Sequence, residues 1–315
     1  MIAEGWRRTP GGDNCYALCF MSISNQSALI FGAGGQLGVE LRRELGERGY
    51  LVHTFERREI DITSQGAVEE CISQIDPGFV FNSAAYNQVD VAEREPQAAF
   101  LANALAVRNI ALACRQADAR LIHFSTDYVF DGTASRPYVE TDATHPLGAY
   151  AVSKLSGELY AQAYLDAPLI VRTCGVFGPQ GVKTARGNFV ETMLRLAGSG
   201  NPIQVVEDFV ASPTYAPALA ARTCDLVERG CAGVFHIGGG TAITWFDFAK
   251  VIFEAAGIAP KLVASNERSY RTPAKRPKYS VLSNAKMEAA GVAPMPAIGE
   301  AVAEYLRRSA GDRVG

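Results

Sequence analysis

The chain has 315 residues, 48% of them hydrophobic and 20% charged, enough for one large domain or two coupled ones with a full apolar core. A formal net charge of -3 lacks the basic excess that a nucleic-acid or anionic-membrane surface needs, so neither partner is expected and an anionic substrate must be held by local positive charge. Seven cysteines with no C-x-x-C pair read as reduced thiols in a cytoplasmic protein, and four dispersed histidines form no metal-ligand cluster, so no metal is expected.

At the N-terminus, Arg7 and Arg8 precede the apolar run Cys15-Tyr16-Ala17-Leu18-Cys19-Phe20-Met21. The run is too short to span a bilayer, has no clear small-x-small cleavage site, and leads into a core strand. Residues 1–26 are therefore expected to be a leader outside the fold, either disordered or upstream of a native start at Met21. Export is the lesser reading.

From there apolar runs and helical periodicity alternate. Strands are predicted at 28–31, 50–55, 79–81, 121–124 and 169–171, with helices through Leu37, Leu41 and Leu45 and over 67–75, 97–116 and 149–165. Short apolar strands separated by helices of ten or more residues predict an α/β fold with a doubly wound parallel sheet, Rossmann-like, over 27–173. After 173 the alternation breaks up among Gly- and Pro-containing loops. Helices are predicted near 189–196 and 217–227 and over 246–256 and 298–306. A strand near 233–237 is expected to return to the main sheet. The rest of 174–315 reads as a smaller C-terminal substrate-binding lobe.

Gly32-Ala33-Gly34-Gly35-Gln36-Leu37-Gly38 follows the first strand and opens the first helix. Glycines at 32, 35 and 38 permit a tight turn and close backbone approach, and the helix start then offers amides and a positive dipole end to a pyrophosphate. A structural turn is the bland alternative. Glu56, at the end of the second strand, suits a ribose 2′-hydroxyl, whereas Arg57 and Arg58 suit a 2′-phosphate or form a solvated run. Asp61 and Ile62 are placed at the adenine. The reading leans to NADPH, with NADH as the alternative.

Tyr150 and Lys154 stand at i and i+4 on one helical face, and Thr126 ends the fourth strand. A phenol with a pKa of about 10 is a weak acid–base partner unless a nearby cation favours its anion, which is the part expected of Lys154. Y-x-x-x-K alone is common on solvated helices. Joined to the glycine loop and the strand-end hydroxyl, it is specific.

These motifs, with Asn82-Ser83-Ala84-Ala85-Tyr86 and Ser125-Thr126-Asp127-Tyr128-Val129-Phe130-Asp131-Gly132, resemble the extended short-chain dehydrogenases. More narrowly, the last string, Glu140-Thr141-Asp142, Arg172-Thr173-x-x-Val176-Phe177-Gly178, Ser212-Pro213-Thr214, Trp245-Phe246-Asp247-Phe248-Ala249 and Lys275-Arg276-Pro277 resemble the dTDP-4-dehydrorhamnose reductase family. The likeness runs over 28–306. It implies hydride delivery to C4 of a nucleotide-linked 4-keto-6-deoxy sugar, most simply dTDP-4-dehydro-L-rhamnose. Tyr150 would protonate the nascent alkoxide and Thr126 would polarise the carbonyl. Lys154 would hold the nicotinamide ribose and tune Tyr150. Asn82, Ala84, Ala85 and Tyr86 would line the cofactor, with Asn103 nearby. Asp127, Tyr128, Asn188, Pro213 and Thr214 would meet the substrate. A homodimer is an open expectation.

Two departures stand out. Gly175 occupies the place where the family's Arg-Thr-x-Trp-Val pattern has a tryptophan, and Asn87-Gln88 replace small residues. The missing aromatic removes a binding surface and leaves the sugar open. Three rivals stand beside the reductase. A dehydratase needs a carboxylate where this chain has Tyr128. An epimerase of the same fold would show no net cofactor use. A non-catalytic regulatory subunit, resembling the beta subunit of methionine adenosyltransferase, would bind nucleotide without turnover.

Overall fold

The apolar runs of the first half become strands covered by helices on both faces. In chain order the elements are β1 (Ser27–Phe31), α1 (Gln36–Glu47), β2 (Leu51–Phe55), α2 (Gln65–Ile75), β3 (Phe79–Asn82), α3 (Val89–Ala92), α4 (Pro96–Phe100), α5 (Ala106–Gln116), β4 (Arg120–Thr126), α6 (Ala149–Tyr164) and β5 (Leu169–Thr173). The computed structural model describes residues 26–183, 187–266 and 272–312. The leader expected over 1–26 thus lies outside the described residues except for Gln26, whose carbonyl accepts the Leu51 amide.

Successive strand residues point to opposite faces. Ala28, Ile30, Phe79 and Phe81 pack with Leu41 and Leu45 of α1, while Leu29, Phe31 and Val80 pack with Val68 of α2 and Ile110 of α5. Each of the larger side chains contributes roughly 1.5–3 kcal/mol on burial, so both faces hold the sheet and neither is left to solvent.

The helix expected over 97–116 is interrupted. Between α4 and α5 lies a π turn, Leu101–Leu105. Here α6 crosses so closely that a Cβ on Gly157 would collide with the Asn103 carbonyl oxygen. The stretch Pro96–Gln116 is long and apolar enough to cross a membrane by composition, but Val107, Ile110, Ala111 and Cys114 are buried in the core beneath it.

Beyond β5 come α7 (Phe189–Ala197), β6 (Ile203–Val206), β7 (Val210–Ala211), α8 (Ala216–Glu228), β8 (Gly233–His236), β9 (Ile243–Thr244), α9 (Trp245–Ala255), β10 (Leu262–Ser265), α10 (Ala285–Ala289) and α11 (Ile298–Asp312). Strand β8 pairs with β5 and completes a six-stranded parallel sheet of order β2-β1-β3-β4-β5-β8. Helix α8 returns with it, placing Leu219, Ala220 and Cys224 in the cluster that holds Leu41 and Leu45. The smaller lobe gathers α7, α9 and α11 around Phe177, Phe248 and Tyr305, with a parallel pair β6–β10 at its side. The free cysteines Cys71, Cys114, Cys174, Cys224 and Cys231 are all buried.

The strand order sets the position of the site. The chain goes from β1 to β2 in one direction, then passes back over β1 to β3. The crevice between the carboxyl ends of β1 and β3 is therefore a topological switch point, where open α/β sheets take ligands.

Candidate active site

The glycine loop and the β3 loop meet in that crevice. Gly32 has φ +80°, and a Cβ there would lie 2.6 Å from the Ala84 backbone nitrogen, so a side chain has neither the conformation nor the room. A Cβ on Gly38 would strike the Gly32 carbonyl oxygen. Ser83 steadies the other wall by donating its hydroxyl to the Phe31 carbonyl at 2.8 Å. Helix α1 starts at Gln36 with Gly35 as its N-cap and no side-chain cap. The amides of Gln36, Leu37 and Gly38 consequently have no acceptor within the helix and point their dipoles at the crevice. This cradle fits a pyrophosphate.

At its far end, the Glu56 side chain leans over the loop, so that a Cβ on Gly34 would come within 2.9 Å of Glu56 Oε1. Glu56 also pairs with Arg58 at 3.3 Å, while Arg57 is exposed. Asp61 is held in its own turn: Oδ1 accepts from the Thr63 amide at 3.0 Å and the Thr63 hydroxyl at 2.7 Å, which keeps the carboxyl below its usual range. Ile62 packs against the α2–α5 side of the core.

The chemical centre sits at the carboxyl end of β4. Thr126 ends the strand and caps the turn that follows, its hydroxyl accepting from the Tyr128 amide at 3.2 Å and donating to Asp127 Oδ1 at 3.1 Å. The same hydroxyl lies beside the Tyr150 phenol. Burial raises the phenol's pKa above the ordinary value, the Asp127 charge adds to that, and the Thr126 hydroxyl offsets part of it. Asp127 is itself buried, which pushes its carboxyl up against the pull of the neighbouring Ser280, Cys174 and Thr126. The Tyr128 ring stands edge-on to Tyr150, centroids 6.1 Å apart.

Lys154 departs from the sequence reading. Its ammonium donates to the Phe124 carbonyl oxygen at 2.6 Å and is buried. Desolvation lowers its pKa to about 8, with Glu158 opposing. The expected lowering of the Tyr150 pKa by this cation is absent, because burial dominates the phenol and the ammonium is directed at β4. Beneath it, Glu158 forms a buried pair with Arg172 at 2.7 Å and accepts from the Ser125 hydroxyl.

Among the cofactor-side residues, the Asn103 side chain is fully engaged by protein. Its Oδ1 accepts from the Tyr86 amide at 2.8 Å, and its Nδ2 donates to the Tyr86 carbonyl at 3.1 Å and to Ser153 Oγ at 3.0 Å. Asn103 thus ties the β3 loop to the helix that carries Tyr150 and Lys154. Ala85 lies half-buried within that loop. Asn188 caps α7, accepting from the Glu191 amide at 3.0 Å, and donates to Gln36 Oε1 at 2.8 Å. Gln36 Oε1 also accepts from the Gly178 amide at 3.0 Å. Thr214 is buried with its hydroxyl on the Ser212 carbonyl, and Pro213 lies against Gly175.

Two neighbours were not assigned a role from sequence. Arg276 forms a bidentate ion pair with Asp90, at 3.0 and 2.7 Å, and lies beside the Tyr128 phenol. It brings to the site the local positive charge that the whole-chain balance does not supply. Trp245, at the start of α9, reaches Gly175 from the smaller lobe. Both are carried in from distant sequence, and the only prior signal was the motif in which each stands. A surface cleft of about 400 Å³ bounded by Asp131, Arg136 and Asp142 touches none of the site residues.

Known proteins resemble the chain over most of its length. Residues 26–310 match the family profile described as the RmlD substrate binding domain. The chain is 37% identical over 279 residues to the spore coat polysaccharide biosynthesis protein SpsK of Bacillus subtilis, covering 89% of this chain and 96% of that protein. It is 38% identical over 275 residues to the dTDP-4-dehydrorhamnose reductase of Escherichia coli, covering 82% and 90%. Among solved structures, the dTDP-4-dehydrorhamnose reductase of Bacillus anthracis in complex with NADP superposes with a TM-score of 0.85 at 32% identity, covering 90% of this chain and 99% of that one. A UDP-glucose 4-epimerase of Thermus thermophilus, at 23% identity and a TM-score of 0.80, shares the fold.

Proposed function

The chain belongs to the RmlD family of nucleotide-sugar reductases, and from that premise we propose that it uses NADPH to reduce the C4 keto group of a dTDP-linked 4-keto-6-deoxy sugar, dTDP-4-dehydro-L-rhamnose giving dTDP-L-rhamnose. The observation that carries the reading is the placing of Thr126 and Tyr150 side by side at the end of β4, next to a glycine cradle where Gly32 and Gly38 leave no room for a Cβ.

The roles follow from position. The amides of Gln36, Leu37 and Gly38 hold the pyrophosphate, with Gly32 and Gly35 shaping the turn and Ala84, Ala85 and Tyr86 forming the opposite wall. Arg57 is placed to meet a 2′-phosphate, Glu56 a ribose hydroxyl, and Asp61 and Ile62 the adenine. Lys154 leaves the Phe124 carbonyl for the nicotinamide ribose hydroxyls. Bound NADPH supplies the hydride that C4 takes up. Thr126 turns its hydroxyl from Asp127 to donate to the keto oxygen, and Tyr150 delivers the proton as that oxygen becomes an alkoxide. A phenol whose pKa is raised by burial stays protonated through neutral pH, which suits the reductive direction. Asp127 and Tyr128 face the sugar, and Arg276 offers charge to its diphosphate. The free cysteines support a reducing, cytoplasmic setting.

The test is NADPH oxidation followed at saturating dTDP-4-dehydrorhamnose, with the product identified. Stoichiometric loss of NADPH with formation of dTDP-L-rhamnose is expected. Sugar interconversion without net loss of NADPH, or tight nucleotide binding with no turnover, overturns the proposal.

A further inference from the structure

Gly175 is placed by the sheet register. Thr173 pairs with Thr126 across β5 and β4, and Cys174 then lies beside Asp127. Gly175 follows directly, so it borders the space over the Thr126–Asp127 strand end. It has φ +47°, a left-handed conformation that favours glycine. A Cβ built there would come within 3.0 Å of the outer edge of the Trp245 indole. The ring already stands where a side chain from position 175 would begin.

That ring is fixed from behind. Thr244 caps α9 by accepting from the Asp247 amide at 3.0 Å, which sets the first residue of the helix. Phe189 packs against the indole with centroids 4.8 Å apart, and Phe248 lies 6.1 Å away. The indole also meets the cluster of Val129, Phe130 and Cys174, so it spans the small lobe and the strand-end wall. It is half-buried. The other aromatic residues near the loop offer no surface, since Phe177 is 1% exposed and Tyr215 3%.

We propose that Trp245 is the specificity-determining wall of the sugar subsite, its indole packing on the apolar C5–C6 edge of a 6-deoxy ring through the gap that Gly175 leaves open. This rests on the nucleotide-sugar reading above and deepens it. An aromatic surface gains from the methyl of a 6-deoxy sugar, whereas a 6-hydroxyl pressed on the same surface is desolvated without a partner.

The chain has only two tryptophans, Trp6 and Trp245. A full-length Trp6→Phe variant therefore reports on Trp245 alone. It is titrated with dTDP, dTDP-L-rhamnose and dTDP-glucose, each in the presence of NADPH, with emission recorded beside calorimetric binding. dTDP-L-rhamnose is expected to change the emission and dTDP is not. dTDP-glucose is expected to bind roughly five- to tenfold more weakly than dTDP-L-rhamnose. Trp245→Leu is expected to erase that preference and raise KM by a similar factor with kcat within about twofold, and Trp245→Phe to keep most of it. Gly175→Trp is expected to weaken binding, since the new ring meets the old one on a strained backbone. Binding of dTDP-L-rhamnose without a change in emission, or a Trp245→Leu variant that keeps the preference, overturns the proposal alone. Absence of calorimetric binding by either sugar overturns the nucleotide-sugar reading and this proposal with it.

Discussion

The Lys154 ammonium and the Phe124 carbonyl oxygen stand 2.6 Å apart, which anchors the α6 cation to the middle strand of the sheet and not to the Tyr150 phenol one turn away. The ammonium is buried and only partly compensated, with its pKa lowered from 10.5 to about 8. A lysine that holds its proton less tightly in the native state than in the unfolded chain disfavours folding by a constant amount below about pH 8. That penalty fades as pH rises from about 8 toward 10.5. Lys154→Met is therefore expected to be more stable than the parent at pH 7, by up to about 3 kcal/mol before the lost carbonyl bond is set against it. The difference should shrink with rising pH. Urea denaturation of both proteins at pH 7 and pH 10 checks this, and a gap that widens at pH 10 contradicts it.

Tyr150→Phe removes the proton donor and keeps the ring that lies against Tyr128. Turnover should fall by roughly a hundredfold or more, with NADPH affinity within a few-fold of the parent. Single-turnover kinetics beside cofactor titration separates the two. Near-normal turnover would remove Tyr150 from the chemistry.

Arg57 is exposed just past β2, while Glu56 leans over Gly34 and pairs with Arg58. Arg57→Ala should weaken NADPH more than NADH, and Glu56→Gln should act in the opposite sense by relieving repulsion of a 2′-phosphate. Dissociation constants for both cofactors decide it. Equal losses for the two cofactors in Arg57→Ala leave that residue as surface charge.

Asn103→Ala deletes three hydrogen bonds, two of them to the Tyr86 backbone. A loss of about 2 kcal/mol or more of stability is expected, together with weaker NADPH binding as the β3 loop loosens. Denaturant midpoints and cofactor titration measure the two effects. A variant of unchanged stability would show that the π turn at Leu101–Leu105 holds the loop without this side chain.

The first half of the fold was legible because each central strand is apolar on both faces, a pattern that only a covered parallel sheet explains. The β6–β10 pair was not, since Ile203–Val206 and Leu262–Ser265 are short, far apart in sequence and only partly buried. No local rule announces the π turn, because it answers to the approach of Gly157 from another helix. Thr126, Tyr150 and Lys154 could be marked in advance by spacing and strand-end position. Their electrostatics could not, because desolvation depends on what the rest of the chain lays over them. Arg276 and Trp245 arrive from segments more than a hundred residues beyond Thr126, so only the folded topology brings them to the site.

The Gln36 carboxamide accepts from both the Gly178 amide and the Asn188 side chain, and Asn188 caps α7. The phosphate cradle and a helix of the smaller lobe therefore share one acceptor. Any adjustment of Gln36 as a pyrophosphate settles on the α1 amides is passed to the N-terminus of α7. Thermodynamic reciprocity makes the traffic two-way: the factor by which the nucleotide cofactor changes sugar affinity is the factor by which the sugar changes cofactor affinity. The seam between the two lobes is then the place where that coupling is carried.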